Sequence, residues 1–273
     1  MCTAILSIEP GMPVLLAGVR DELIDRPWEA PGQHWPSYPE LVGGKDLQAG
    51  GTWLAVLPSH RRAACVLNGI GLLAPAATRL SRGELPLLAA AGESIGRRGL
   101  ADYDPFHLLV AEPGLAILQS WNGSELTEHE LQPGLHFVVN SGVASYLPET
   151  DRTAADWAAN GWDGSQWLGA PPPDGREHEM ARTAHFLARF SSAVRPEPRP
   201  GQPVGQAWGS WLPLVNGDGI GPGDQRALIV RRDLGGGRIW GTTSISLVAL
   251  APGWLRYDFT AHPGDESSWY PVL

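Results

Sequence analysis

Apolar runs in this chain come in pairs, each pair joined by a short turn containing Pro or Gly or a polar cluster, and this pattern limits the fold more than any other feature. Residues 3–8 and 14–19 flank Glu9-Pro10-Gly11-Met12-Pro13. Residues 52–57 and 63–67 flank Pro58-Ser59-His60-Arg61-Arg62, and residues 107–111 and 116–121 flank Glu112-Pro113-Gly114. Such runs bounded by turn formers read as antiparallel hairpins. Further strands are predicted over 135–139, 227–232, 238–250 and 254–260, with Ala251-Pro252-Gly253 turning the last pair. Helical signals are fewer. Ser81 and Glu84 form a capping box that opens a helix toward Gly92, although Pro86 early in it is unfavourable. Two more helices are predicted over 151–160 and 177–190. In the second, Ala181, Ala184, Leu187 and Ala188 have core-facing spacing, with Arg182, His185 and Arg189 opposite. Helices inserted among antiparallel hairpins predict an α+β sandwich, read as one domain over residues 1–273.

Hydrophobic residues make up 43% and charged residues 18% of the 273, enough apolar material for a sizeable core. Gly 34 and Pro 25 bring the pair close to, but below, the low-complexity range of roughly 25–30%. They concentrate between residues 191 and 225, which predicts a long loop folded over the body as a lid. The net charge of −9 and the lack of a basic cluster argue against nucleic acid as a partner. No apolar run approaches the roughly 18 residues of a membrane span, and the start lacks a secretory pattern. With two cysteines and no disulfide framework, the expectation is a cytoplasmic protein.

Cys2 is the residue with the most chemistry. Methionine aminopeptidases generally remove Met before a small residue, which would leave a free α-amine on the residue that carries a thiol. That amine ordinarily titrates near 7.7–8.0 and the thiol near 8.5, so the pair can act as base and nucleophile. If the first turn centres near Gly11, Cys2 lies opposite Arg20 within one residue. The second run ends abruptly in Arg20-Asp21-Glu22. A guanidinium there favours the thiolate, and a carboxylate can hold the amine. Cys65, inside an apolar strand, is expected to be inert.

The chain also resembles a known family. The resemblance is carried by Met1-Cys2-Thr3, Leu15-Leu16-Ala17-Gly18-Val19-Arg20-Asp21-Glu22, Arg26-Pro27 and Gly50-Gly51-Thr52-Trp53-Leu54. It continues through Asn68, Ser81-Arg82-Gly83-Glu84-Leu85, Tyr103-Asp104-Pro105-Phe106-His107-Leu108-Leu109, Pro133-Gly134-Leu135, Val139-Asn140 and Trp240-Gly241-Thr242. These resemble the NRDE family, that of the eukaryotic transport-and-Golgi-organisation protein. The resemblance implies the N-terminal-nucleophile hydrolase fold, an αββα sandwich of two antiparallel sheets flanked by helices. Its relatives include penicillin V acylase and bile salt hydrolase, which cleave amides with an N-terminal cysteine. By that resemblance Cys2 matches the nucleophile, Arg20 and Asp21 the charged pair after the second strand, and Asn68 or Asn140 the oxyanion donor. Two positions depart from the pattern. Val19 replaces the Asn that names the family, and Thr243 stands where an Arg is usual, with Arg238 or Arg256 as substitutes.

Other constellations are missing. There is no phosphate loop, Cys-x-x-Cys or His-Glu-x-x-His motif, and the spacing of His178 and His185 is that of a solvated helix face, so neither metal nor cofactor is expected. Twelve Trp residues are many for this length. Trp157, Trp162, Trp208 and Trp211 are candidate substrate-binding residues around a hydrophobic pocket. Two functions fit. One is a cysteine hydrolase acting on an amide of a hydrophobic N-acyl substrate, and the other a non-catalytic binding or trafficking protein for haem or an acyl lipid.

Overall fold

The structure is a computed structural model that describes residues 2–95, 99–146 and 177–273, together with the backbone of 167–168. The first strands in chain order are β1 (Thr3–Ile8), β2 (Val14–Leu23), β3 (Trp28–Gly32), β4 (Val42–Asp46), β5 (Leu54–Leu57) and β6 (Arg62–Asn68). After helix α1 (Leu85–Ala91) come β7 (Phe106–Glu112), β8 (Leu115–Trp121), β9 (Leu126–Glu130), β10 (Gly134–Val139), β11 (Gly142–Tyr146) and β12 (Trp167–Leu168). Helices α2 (Glu177–Ser192), α3 (Val204–Trp208) and α4 (Trp211–Val215) follow. The chain closes with β13 (Arg231–Asp233), β14 (Ile239–Ala251), β15 (Trp254–Thr260) and β16 (Tyr270–Pro271).

These strands form two antiparallel sheets. The first runs β12-β11-β10-β1-β2-β14-β15-β16 with β13 on β14, and the second runs β3-β4-β5-β6-β7-β8-β9. Strand alternation separates three layers of core. Ala4, Leu6, Leu16 and Val248 of the first sheet meet Leu54, Val56 and Leu109 of the second. Ile5, Leu15, Phe137 and Leu247 point the other way, onto Phe186, Phe190, Trp208 and Trp211 of the helices. Ala55, Ala64 and Leu108 pack on Leu85 and Leu87 of α1. The order is therefore helix, sheet, sheet, helix, the αββα sandwich that the sequence resemblance implies.

The first hairpin has the predicted register. Thr3 faces Val19 and Ser7 faces Leu15, so the next pair outward is Cys2 and Arg20. The strand does not end at Val19, however. β2 continues through Arg20 and Asp21 because both are buried and pair with β14, Ser244 facing Arg20 and Thr242 facing Asp21. Val19, the residue in place of the family asparagine, is 2% exposed and lies in the helix-side core.

Several elements differ from expectation. Strands β3 and β9 lie at the two edges of the second sheet. Their sequences carry Pro31 and Glu128–Glu130, features that edge strands tolerate and central strands do not. In α2 the buried face is Glu179, Arg182, Thr183, Phe186, Leu187 and Phe190, not the alanine stripe. The large rings decide the orientation, because they bury more area than Ala181 and Ala184. The Gly- and Pro-rich stretch is no lid. It stays mostly loop and turn but carries the short helices α3 and α4, which cover the outer face of the first sheet with Trp208, Trp211, Leu212 and Val215. The helix expected over 151–160 lies outside the described residues.

Candidate active site

A cleft of about 290 Å3 opens at one end of the sandwich, with Cys2, Arg20, Trp53, Val66 and Asn68 among its lining residues. Cys2 leads into β1 and turns its thiol to the inter-sheet side, as Ala4 and Leu6 do. The thiol is half-buried and lies 3.8 Å from the Asp21 carbonyl, a weak S–H donor contact. Burial pushes the thiol's pKa up and the nearby Asp21 charge adds to this, while the N-terminal amine, the Asp21 carbonyl and, least of these, Arg20 act in the opposite direction. The structure therefore does not give Cys2 the standing thiolate expected from Arg20.

Arg20 is occupied elsewhere. One terminal nitrogen donates to Thr243 Oγ1 at 2.8 Å, the other meets Asp46 Oδ2 at 3.4 Å, and the guanidinium lies 4.4 Å above the Trp53 ring. Trp53 fits there because Gly44 has no side chain, and a Cβ on that residue would run into the ring. Thr243 sits in a β-bulge, where the pairing of β14 with β2 shifts between Thr242 and Ser244. The bulge turns the Thr243 hydroxyl toward the site. Thr243 thus supplies a hydroxyl that holds Arg20.

Asp46 is a hub that sequence reading missed. It accepts from Arg26 Nε at 2.6 Å, from Arg26 Nη2 at 3.2 Å, and from the backbone N–H groups of Gln48 and Ala49. Burial alone would raise its pKa, but Arg26, the Ala49 N–H and Arg20 outweigh that and hold the carboxyl below the usual range. The signal was present in Arg26-Pro27, which the resemblance included without giving it a partner.

Asp21 points to the helix side of the sheet. Its Oδ1 accepts from Thr242 Oγ1 at 2.6 Å, and Arg182 Nη1 of α2 lies 3.6 Å from Oδ2. That second oxygen is buried and has no hydrogen-bond partner among the described residues. Burial raises the Asp21 pKa against the opposing effect of Arg182. Arg182 also donates to Thr3 Oγ1 at 3.0 Å, and one turn earlier Glu179 accepts from the Ser141 hydroxyl at 2.6 Å. One polar stripe of α2 thus reaches through to both Asp21 and the β10–β11 turn. The proposed substitutes for the missing arginine do not do this. Arg256 pairs with Asp258 on β15, and Arg238 is exposed.

The two asparagines are joined. Asn140 Nδ2 donates to the Asn68 carbonyl at 2.8 Å, while the Asn140 carbonyl accepts from His107 Nε2 at 3.1 Å. Asn140 thereby clasps the first sheet to the end of β6 in the second. It is 4% exposed and faces a neighbouring pocket, whereas Asn68 is exposed and lines the cleft with Cys2.

Of the four candidate tryptophans, Trp208 and Trp211 are not brought to this cleft. Trp208 is fully buried with its Nε1 donating to Asp258 at 2.6 Å, and Trp211 packs edge-on against Phe190. Both lie on the opposite face of the first sheet from the Cys2 thiol, because the helical layer needed its own core. Trp157 and Trp162 lie outside the described residues. Cys65 is 4% exposed, and burial pushes its thiol up to about 12.

Fold and site together define a two-sheet αββα protein with a cysteine at the mouth of an inter-sheet cleft. The sequence model of the family described as Transport and Golgi organisation 2 matches residues 1–158, more than half of the chain. The chain belongs to that family. Among solved structures it is similar to the Caenorhabditis elegans N-acylethanolamine-hydrolyzing acid amidase (NAAA) ortholog, at 11% identity and a TM-score of 0.46, over 100% of each chain. None of the curated proteins matches.

Proposed function

We propose that this protein is a cysteine amidohydrolase acting on the acyl bond of an N-acyl substrate. The observation that carries the reading is the buried Asp21 Oδ2, which has no hydrogen-bond partner among the described residues, at the end of the strand facing Cys2. Removal of Met1 would create an ammonium on Cys2, the kind of donor that oxygen lacks. In the neutral form the same amine takes the proton from Sγ, which matters because burial keeps the thiol protonated. Sγ then attacks the carbonyl carbon, the amine returns the proton to the departing nitrogen, and a thioester remains. Water, with its proton taken by the α-amine, cleaves the thioester and frees the acid. The test couples labelling to turnover. The intact mass should show loss of Met1, and iodoacetamide at neutral pH should label Cys2 but not Cys65. Release of fatty acid from N-acyl amides should fall in step with that labelling. Preferential labelling of Cys65, or turnover that survives full labelling of Cys2, overturns the reading.

The oxyanion donor in this reading is the Asn68 carboxamide, with Asn140 as the residue that positions it. Asn68 is exposed to the cleft, while Asn140 spends an N–H on the Asn68 carbonyl. Asn68→Ala is expected to cut kcat by about 100- to 1000-fold, as loss of one such donor does, with little change in thermal midpoint. Asn140→Asp, with a carboxylate set against the Asn68 carbonyl, should lower the midpoint as well as the rate. If Asn140→Asp reduces turnover at an unchanged midpoint while Asn68→Ala is fully active, the assignment is reversed.

A further inference from the structure

The cleft holds four arginines, and their partners are unequal. Arg20 and Arg26 share Asp46, and Arg79 Nε lies 3.1 Å from Asp104. Arg82 has no such partner, since among the described residues no carboxylate lies within 4.0 Å of it. Its hydrogen bond, 2.8 Å from Nη1 to the Pro105 carbonyl, engages one corner of the fork. Asp104 is the strongest acidic influence on it, but it makes no ion pair with Arg82, and its Oδ1 is engaged by Arg79 Nε at 3.1 Å and by the Ala74 N–H at 3.0 Å.

Arg82 is also held in place. The Thr52 N–H donates to the Gly83 carbonyl at 2.8 Å, and Ser81 Oγ accepts from the Gly83 N–H at 3.2 Å. Gly51 and Gly83 pack so closely that a Cβ on Gly51 would meet the Gly83 backbone. The turn is therefore docked on the strand entry beside Trp53. The guanidinium lines the same cleft as Cys2, close enough for a charge on the thiol to act on it. Trp53, Val66 and Leu80 supply apolar surface in that cleft.

We propose that the molecule received by this cleft carries a carboxylate, and that Arg82 binds it. A half-buried guanidinium with one nitrogen engaged leaves its remaining N–H groups to an incoming anion, and a forked donor matches a carboxylate in two bonds. The proposal rests on the reading that the substrate occupies the Cys2 cleft, and it concerns binding rather than turnover.

The test uses the full chain carrying Cys2→Ala, so that nothing is consumed, with isothermal titration of N-decanoylglycine and N-decanoylethanolamine. The probes differ by a carboxylate in place of a hydroxymethyl group. N-decanoylglycine should bind about 10- to 100-fold tighter, the range expected of a charge-assisted pair. Adding Arg82→Gln, which can still donate to the Pro105 carbonyl, should abolish the preference and leave N-decanoylethanolamine affinity within about twofold. Arg82→Lys should retain part of it, which guards against a folding effect of the glutamine. Equal affinities in the parent, a preference that survives Arg82→Gln, or no binding of either probe would overturn the proposal. Failure of the hydrolase reading is recorded separately, as no Cys2-dependent product from the unsubstituted chain, and leaves this binding result standing.

Discussion

Cys2→Ala is expected to reduce amide turnover to background while ligand affinity stays within about twofold. Loss of a nucleophile that works as a unit with its base costs on the order of 10^5- to 10^6-fold in kcat. The lost interaction belongs to the transition state, so ground-state binding has no reason to follow it. Structural damage should be small. The thiol is half-buried at the start of β1, and its contact with the Asp21 carbonyl is long, at 3.8 Å. Alanine before residue 3 also leaves Met1 removal in place, so the chain still begins with an amine. The measurement is single-turnover acid release from an N-acyl amide, beside titration of the same compound. Equal activity of Cys2→Ala and the parent would end the nucleophile assignment. No turnover in either, with tight haem or acyl-lipid binding in both, would favour the binding protein instead.

The hairpins could be read from sequence because each places period-two apolar runs around a turn, and that pattern reports directly on burial. The register of β1 on β2 followed from the turn position alone, and it put Cys2 opposite Arg20. The parts that failed depend on contacts distant in sequence. Arg182 lies about 160 residues from Asp21 and joins it only because α2 packs across the first sheet. A charged residue in a helix reads as solvated unless the neighbouring core positions are recognised. Phe186, Leu187 and Phe190 were the signal, since the face they define includes Glu179, Arg182 and Thr183. Trp208 and Trp211 failed for the converse reason. Composition marks aromatic residues as ligand-binding or core without distinguishing the two, and here the short helices α3 and α4 turn both into the layer beneath them. Thr243 could be seen as a departure, but its use as a bulge residue that holds Arg20 required the strand pairing.

Arg182→Met is expected to destabilise the fold by about 3–5 kcal/mol, because it removes the buried guanidinium that pairs with a buried carboxylate. Asp21 and Arg182 are 2% and 1% exposed, so solvent cannot substitute for the lost charge. For a chain of this size the thermal midpoint should fall by roughly 10 °C. The effect should depend on pH, and its sign follows from Asp21. Burial already raises the Asp21 pKa above its unfolded value, and removing Arg182 takes away the largest opposing influence. A carboxyl shifted upward stabilises the fold only while protonated. That contribution is complete below the unfolded pKa and is lost as pH rises through the folded one. The gap between parent and variant should therefore be widest above the folded pKa of the variant's Asp21 and narrow as the solution is acidified through it. The N-terminal amine still acts on Asp21 in the variant, Thr242 still donates to Oδ1 and Arg232 adds a smaller effect, so the rise stops short of that for an isolated buried acid. Adding Asp21→Asn to Arg182→Met should recover much of the loss and flatten the pH dependence, since a neutral amide needs no cation. The four proteins form a double-mutant cycle read by thermal unfolding across pH. A coupling energy below about 0.5 kcal/mol, or a gap that is constant with pH, would show that Arg182 supports the site by packing and not by charge.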